Sequence, residues 1–260
     1  MLDTSKYEND ELYPDGIHFV HPNALINDNN LFKAKPESDK VKVSVFDLDG
    51  TSISTSTPMR LMFRLNSEHR LKKRTIFMLA SWGIAYKLHL PRKNNPVRQR
   101  AFSAFKGMDA VEVNKYLADF FESDITQYVR DDAITNMKKC ADEGKCVVLL
   151  SASFDGVVAQ ALLHFPAHYG ISTQMNISVD GTYDNTVFGI APEGSDKPYA
   201  LTSMLNEVFG ENGWEVEDCF ADHYSDMDVL AMANNPVAVT PDKRLLRYAK
   251  SHNIPVEVWK

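Results

Sequence analysis

Cysteine is scarce in this chain: Cys140, Cys146 and Cys219 are its only three in 260 residues. An odd number without metal-type spacing argues against a secreted disulfide framework. A reducing cytosol fits better, with the thiols as packing residues. There is no overall basic surplus either, since 28 Lys and Arg stand against 35 Asp and Glu for a net charge of −7. Nucleic acid therefore has no global electrostatic support as a partner. Long apolar runs are missing too. The most apolar stretch, "TIFMLASWGIAYKLHL" from Thr75 to Leu90, carries Lys87 and His89 and falls short of the roughly 20 apolar residues a spanning helix needs. The opening "MLDTSKYENDELYPDG" is acidic and polar, unlike a signal peptide. The eight histidines show no pairing at ligand spacing; His164, His168 and His223 read as structural or solvent-facing. What remains is a cytoplasmic globular protein. Its 44% hydrophobic content allows one sizeable core, or a core plus an inserted subdomain.

Charge is unevenly distributed. Residues 60 to 106 hold twelve Lys or Arg and one acid, Glu68, so the segment carries +11 and the rest of the chain −18. Around this segment the pattern of elements is orderly. Residues 1–40 are polar with little periodicity and read as an N-terminal extension. An apolar strand follows from Val41 to about Asp47. Residues 58–127 have helical character, with Asp109 and Glu112 spaced as a capping box. Beyond Arg130, helices, the first ending at Gly144, alternate with the strands "CVVLL", "EVEDCFA" and "PVAVT", and Asp180-Gly181 signals a hairpin. Unbroken apolar strands separated by helices predict an α/β fold, a Rossmann-like parallel sheet covered by helices on both faces. On this reading residues 41–57 and 128–260 form the core, and 58–127 are a helical cap inserted after the first strand.

The stretch "VKVSVFDLDGTSIS" (41–54) ends a buried strand on two carboxylates, Asp47 and Asp49. In open parallel sheets, ligands sit beyond the carboxyl ends of the strands. Ser151 after "VVLL" and Asp222 after "DCFA" arrive at that same edge, with Asp226 four residues later and Lys197 opening a helix of its own. Several acids with one lysine and one hydroxyl suit an oxygen-ligated hard cation such as Mg²⁺, which would make buried carboxylates tolerable. An EF-hand is excluded, because Ser52 and Pro58 stand where that loop needs Gly and Glu. The chemistry such groups suit is phosphoryl transfer. One carboxylate attacks phosphorus, the other moves protons, and cation, ammonium and backbone N–H groups after Asp47, Leu48 among them, neutralise the phosphoryl oxygens.

In this order the blocks "FDLDGT", "VVLLSAS", "SDKPYAL" and "ADHYSDMDVLAMANNPVAVTPDKRL" resemble the haloacid dehalogenase superfamily of phosphatases. Within it they resemble subfamily IB, which includes phosphoserine and phosphatidylglycerophosphate phosphatases. The resemblance implies Asp47 as nucleophile and Asp49 as general acid/base. Ser151 and Lys197 would bind the phosphoryl group, while Asp222 and Asp226 would hold Mg²⁺ together with Asp47 and the backbone carbonyl of Asp49. Ser153 reads instead as a helix N-cap and Asp228 as a first-turn acid.

Phosphoserine phosphatases of this resemblance carry an acid nine positions after the nucleophile. Ser56 stands there, and no carboxylate follows until Glu68. The expectation is a Mg²⁺-dependent phosphomonoester hydrolase acting on a small or lipid-linked phosphate. The alternatives are a phosphotransferase to an acceptor other than water and a non-catalytic phospho-ligand binder. The basic segment 70–100 adds three competing readings: a buried cap helix with solvated ends, a peripheral contact with anionic membrane at its inner face, or a funnel for an anionic substrate.

Overall fold

The computed structural model describes residues 12–33, 40–70 and 103–260. Its centre is a sheet in the order β1-β2-β5-β4-β3-β7-β8-β9. The strands are β1 (Ile17–His21), β2 (Ala24–Asn27), β3 (Val41–Asp47), β4 (Cys146–Phe154), β5 (Tyr169–Ile177), β7 (Trp214–Ala221), β8 (Asn235–Val239) and β9 (Val256–Glu257), with β6 (Tyr183–Phe188) pairing to β5 off this path. Strands β5, β4, β3, β7, β8 and β9 run parallel to their neighbours in that order.

β4 shows why such strands read as unbroken apolar runs. Successive side chains leave a strand on opposite faces. Val147 and Leu149 enter one core cluster, while Cys146, Val148 and Leu150 enter the other. On the first face lie α2 (Ala110–Phe120), α3 (Asp131–Asp142) and α4 (Asp155–His164). On the second lie α5 (Lys197–Phe209), α6 (Met227–Leu230) and α7 (Lys243–Ser251). α4 is buried along most of its length, because it sits between the sheet and α2. Truncating one central side chain, for example Leu149→Ala, is worth about 2–5 kcal/mol at such a site.

Local chemistry closes the elements as the sequence predicts. Asp109 caps α2, its carboxylate accepting from the Glu112 N–H at 3.1 Å. After α3, the N–H groups of Gly144 and Lys145 return to the carbonyls of Ala141 and Cys140 at 2.9 and 3.0 Å, with Gly144 at φ 81°. That pattern stops a helix with its last carbonyls satisfied. The Asp180-Gly181 signal is realised in the antiparallel β5–β6 hairpin. The three cysteines are free and buried. His168 is buried with Nδ1 accepting from the Val147 N–H, and His164 lies against Glu122 and Phe121, both structural placements.

The N-terminal stretch departs from the sequence reading. Residues 17–27 are not merely an extension, since β1 and β2 form a hairpin whose second strand pairs antiparallel with β5. Leu12 and Tyr13 are buried in the main core as well. Polar flanks hide this short hairpin in the sequence. After the turn that follows Asp47 the chain enters α1 (Thr57–Ser67), and it meets that turn again at Tyr128 and Arg130. There the Ser54 N–H bonds the Tyr128 carbonyl at 2.8 Å and the Arg130 N–H bonds the Ser52 carbonyl at 3.0 Å. Of the twelve basic residues in 60–106, Lys72, Lys73, Arg74, Lys87, Arg92, Lys93, Arg98 and Arg100 lie outside the described residues. Arg60 stacks on Tyr128, and Arg64 pairs with Glu68, Asp119 and Asp124. Among the described residues, no helix is long and apolar enough to cross a membrane.

Candidate active site

Asp47 is the last residue of β3, and β4 and β7 flank that strand. The chain then turns tightly. The hydroxyl and N–H of Ser52 both return to the Asp47 carbonyl, and the Ile53 N–H returns to Leu48. This turn folds Asp49 back over the strand ends. Gly50 sits at φ 88°, and a Cβ there would lie 2.7 Å from Cγ of Asp222. The glycine therefore serves the approach of loop to carboxylate as well as the backbone angle.

Lys197, the first residue of α5, reaches across 150 positions in sequence. Its Nζ lies 2.6 Å from Asp47 Oδ1 and 2.9 Å from Asp226 Oδ2. Asp222 completes the group: oxygens of Asp47, Asp222 and Asp226 lie within 4.8 Å of one another. Thr51 Oγ1 spans two of them, 3.3 Å from Asp47 Oδ2 and 3.1 Å from Asp222 Oδ1. Three carboxylates against one ammonium leave negative charge uncompensated in a poorly solvated place, and the titration of the groups reflects it. Burial pushes Asp47 up to about 7 despite the opposing pull of Lys197. Asp222 is raised well above the carboxylate range by burial and by the charges of Asp47 and Asp226. Burial works to lower the Lys197 ammonium, but Asp226 and Asp47 together hold it above its usual value. An all-oxygen donor set with excess negative charge fits a hard divalent cation.

The Asp49 carboxylate stands apart from that cluster. Its Oδ1 accepts the Thr57 N–H at 2.5 Å, and its Oδ2 accepts from Ser153 Oγ at 2.6 Å and Thr57 Oγ1 at 3.2 Å. Burial raises its proton affinity, against these hydrogen bonds. A carboxyl so held suits proton transfer rather than metal ligation.

The structure thus brings together Asp47, Asp49, Ser151, Lys197, Asp222 and Asp226, with Leu48 fully buried beside them. Ser153 differs from its predicted role. β4 runs on to Phe154, which is the N-cap of α4, so Ser153 caps nothing. It is the closer partner of Asp49; Ser151 Oγ stands 3.4 Å away and accepts the Ser153 N–H at 3.0 Å. Asp226 offers α6 no side-chain cap either, because its carboxylate faces Lys197. The reading of Asp228 as a first-turn acid of α6 matches its position. Sequence reasoning passed over Thr51 and Thr57. Thr51 stands two residues after Asp49 and could have been singled out, whereas Thr57 contacts Asp49 only because a helix starts there.

Comparison with known proteins agrees with this arrangement. Residues 44–231 match the haloacid dehalogenase-like hydrolase family. The chain is 24% identical over 215 residues to an "Inhibition of morphological differentiation protein" of Streptomyces azureus, covering 81% of this chain and 76% of that one. It is 22% identical over 229 residues to a histidinol-phosphatase of Neisseria meningitidis, covering 84% and 99%. Among solved structures, a Bordetella pertussis protein of unknown function superposes with a TM-score of 0.75 at 17% identity, covering 84% of this chain and 98% of that one. A phosphoserine phosphatase with a phospho-aspartyl intermediate analogue gives 0.56 at 19%, covering 85% and 94%. With nearly three quarters of its length inside the family match and the carboxylates gathered at one sheet edge, the chain belongs to the haloacid dehalogenase-like hydrolase family.

Proposed function

We propose that the protein is a Mg²⁺-dependent phosphomonoester hydrolase acting through an aspartyl-phosphate on Asp47. The observation that carries this reading is the division of labour between carboxyls. Asp47 lies in the charged cluster with Lys197, Asp222 and Asp226, while Asp49 is held separately by Thr57 and Ser153. An oxygen of Asp47 attacks phosphorus as the ester oxygen departs, taking the proton that the buried Asp49 carboxyl carries. Asp49, now ionised, removes a proton from water, whose oxygen attacks phosphorus and frees Asp47 and inorganic phosphate. Lys197 and the Leu48 N–H bind phosphoryl oxygens, and Ser151 orients the group. Asp47, Asp222 and Asp226, with the Asp49 carbonyl, would hold Mg²⁺, which would supply further charge neutralisation. Residues 58–127 are read as the helical cap domain, with 71–102 outside the described residues.

The substrate is a small or lipid-linked phosphate monoester. A histidinol-phosphatase and a phosphoserine phosphatase among the similar proteins make amine-bearing monoesters worth testing. Ser56, at the N-cap of α1 and without a side-chain cap bond, offers such an amine a neutral hydroxyl instead of a carboxylate. The +11 segment 60–106 supports a peripheral contact with anionic membrane as a further part of the reading.

The test is phosphate release from a panel of phosphoserine, histidinol phosphate, sugar phosphates, nucleotides, phosphatidylglycerophosphate and p-nitrophenyl phosphate, with and without Mg²⁺. Metal-dependent release should fall roughly a thousandfold or more in Asp47→Asn. Wild-type turnover by folded Asp47→Asn refutes the mechanism. Phosphorylated acceptor in place of free phosphate makes the protein a phosphotransferase, and tight binding without turnover makes it a binding module.

A further inference from the structure

Arg130, at the N-cap of α3, is a buried cation. Among the described residues no carboxylate lies within ion-pair distance of its guanidinium, and its Nε has no partner. A buried unpaired charge costs several kcal/mol, and an arginine cannot shed its proton to avoid that cost. What the side chain does touch is specific. Nη1 donates to the Trp259 carbonyl and Nη2 to the Gly50 carbonyl at 3.4 Å, while its own N–H bonds the Ser52 carbonyl at 3.0 Å.

Both ends of this bridge bear on the site. Trp259 is buried, its N–H donating to Thr240 Oγ1 at 3.2 Å and its Nε1 to Glu257 at 2.6 Å. Its ring packs 5.4 Å from Phe220 and 6.4 Å from Phe46, and those two rings stack on each other at 4.4 Å. Phe46 immediately precedes Asp47, and Phe220 lies two residues before Asp222. The aromatic stack therefore fixes Trp259 beneath the two strands that deliver the carboxylates. At the other end, Gly50 shares a planar peptide with Thr51, whose hydroxyl reaches Asp47 and Asp222.

We propose that Arg130 is a positioning residue for the metal site: anchored by Trp259, its guanidinium holds the Gly50 carbonyl and so sets the Gly50–Thr51 peptide that aligns Asp47 and Asp222. The planar fork explains the choice of arginine, because it addresses two carbonyls in different directions at once. The inference rests on the Mg²⁺ reading above. Groups that orient metal ligands without touching the metal are typically worth 10- to 100-fold in metal affinity.

The experiment measures the Mg²⁺-induced rise in Tm and, separately, the Mg²⁺ concentration for half-maximal p-nitrophenyl phosphate hydrolysis, on wild type, Arg130→Gln and Arg130→Lys. In Arg130→Gln the midpoint should rise roughly tenfold or more and the Tm response shift to higher Mg²⁺ by the same factor. KM at saturating Mg²⁺ should stay within about twofold, a split that general loosening of the fold would not produce. Arg130→Lys, which keeps the charge but loses the fork, should fall between; if Arg130→Gln does not fold, Arg130→Lys alone decides. An unchanged midpoint and Tm response in a folded variant, with wild type responding normally, overturn the role of Arg130 and leave the metal reading intact. A wild type whose Tm ignores Mg²⁺ overturns both.

Discussion

Replacing Gly50 by alanine tests how closely the nucleophile loop is fitted to its metal-ligating partner. Two costs can be worked out. Gly50 sits at φ 88°, where a side chain is strained by about 1–2 kcal/mol, partly offset by about 0.4–1 kcal/mol from the stiffer unfolded chain. The new Cβ would also lie 2.7 Å from Asp222 Cγ, where ordinary contact begins near 3.4 Å. Asp222 Oδ2 is nearer still, so Asp222 or the loop must retreat by more than roughly 0.7 Å. A shift of that order in a positioned reacting group can cost about a hundredfold in rate. The thermodynamic readout is sharper. Mg²⁺ at a hundred times its dissociation constant stabilises the wild type by about 2.7 kcal/mol, or about 5–10 °C in Tm for a chain of this size. Gly50→Ala should lose most of that increment as well as activity. Gly107→Ala is the control, because Gly107 has φ 75° and, among the described residues, no atom within 4 Å of where its Cβ would stand. It should pay in backbone strain alone and keep the full Mg²⁺ response. If Gly50→Ala responds to Mg²⁺ as Gly107→Ala does, the close-approach argument is wrong.

Two further outcomes are expected. Asp155, buried and bonded by the Tyr13 hydroxyl at 2.9 Å, is pushed up to about 6 by burial. The folded state then holds a proton there that the unfolded state releases near 3.8. Its contribution to stability is present at low pH and lost as pH rises through about 6. Asp155→Asn should accordingly gain on wild type by about 2–3 kcal/mol between pH 4 and 7, read from urea midpoints; a gap that does not move with pH would contradict this. The membrane contact predicts salt-sensitive binding to anionic vesicles that weakens when Lys72, Lys73 and Arg74 become glutamine. Binding indifferent to salt and to those changes counts against it.

Much of the arrangement could be read from local pattern. The apolar runs before Asp47, Ser151 and Asp222 give β3, β4 and β7, and parallel pairing puts their carboxyl ends on one edge. The Asp109 cap and the Gly144 stop are one-turn events, decided by residues a few positions apart. The β1–β2 hairpin escaped notice because strands of five and four residues carry too little periodicity to stand out. The reading of Ser153 as an N-cap failed because β4 continues to Phe154, an extent that sheet pairing decides and local pattern does not.

By itself, then, the sequence determined which residue types arrive at the site and from which strands, because strand periodicity, capping and turn chemistry act over a few residues. Only the tertiary structure decided which of them meet. The Lys197 ammonium between Asp47 and Asp226, the Ser153 hydroxyl on Asp49, the Tyr13 contact with Asp155 and the Arg130 bridge from Trp259 to Gly50 all join segments distant in sequence. Such contacts are set by how two cores pack against one sheet, and short-range propensity carries no record of that packing.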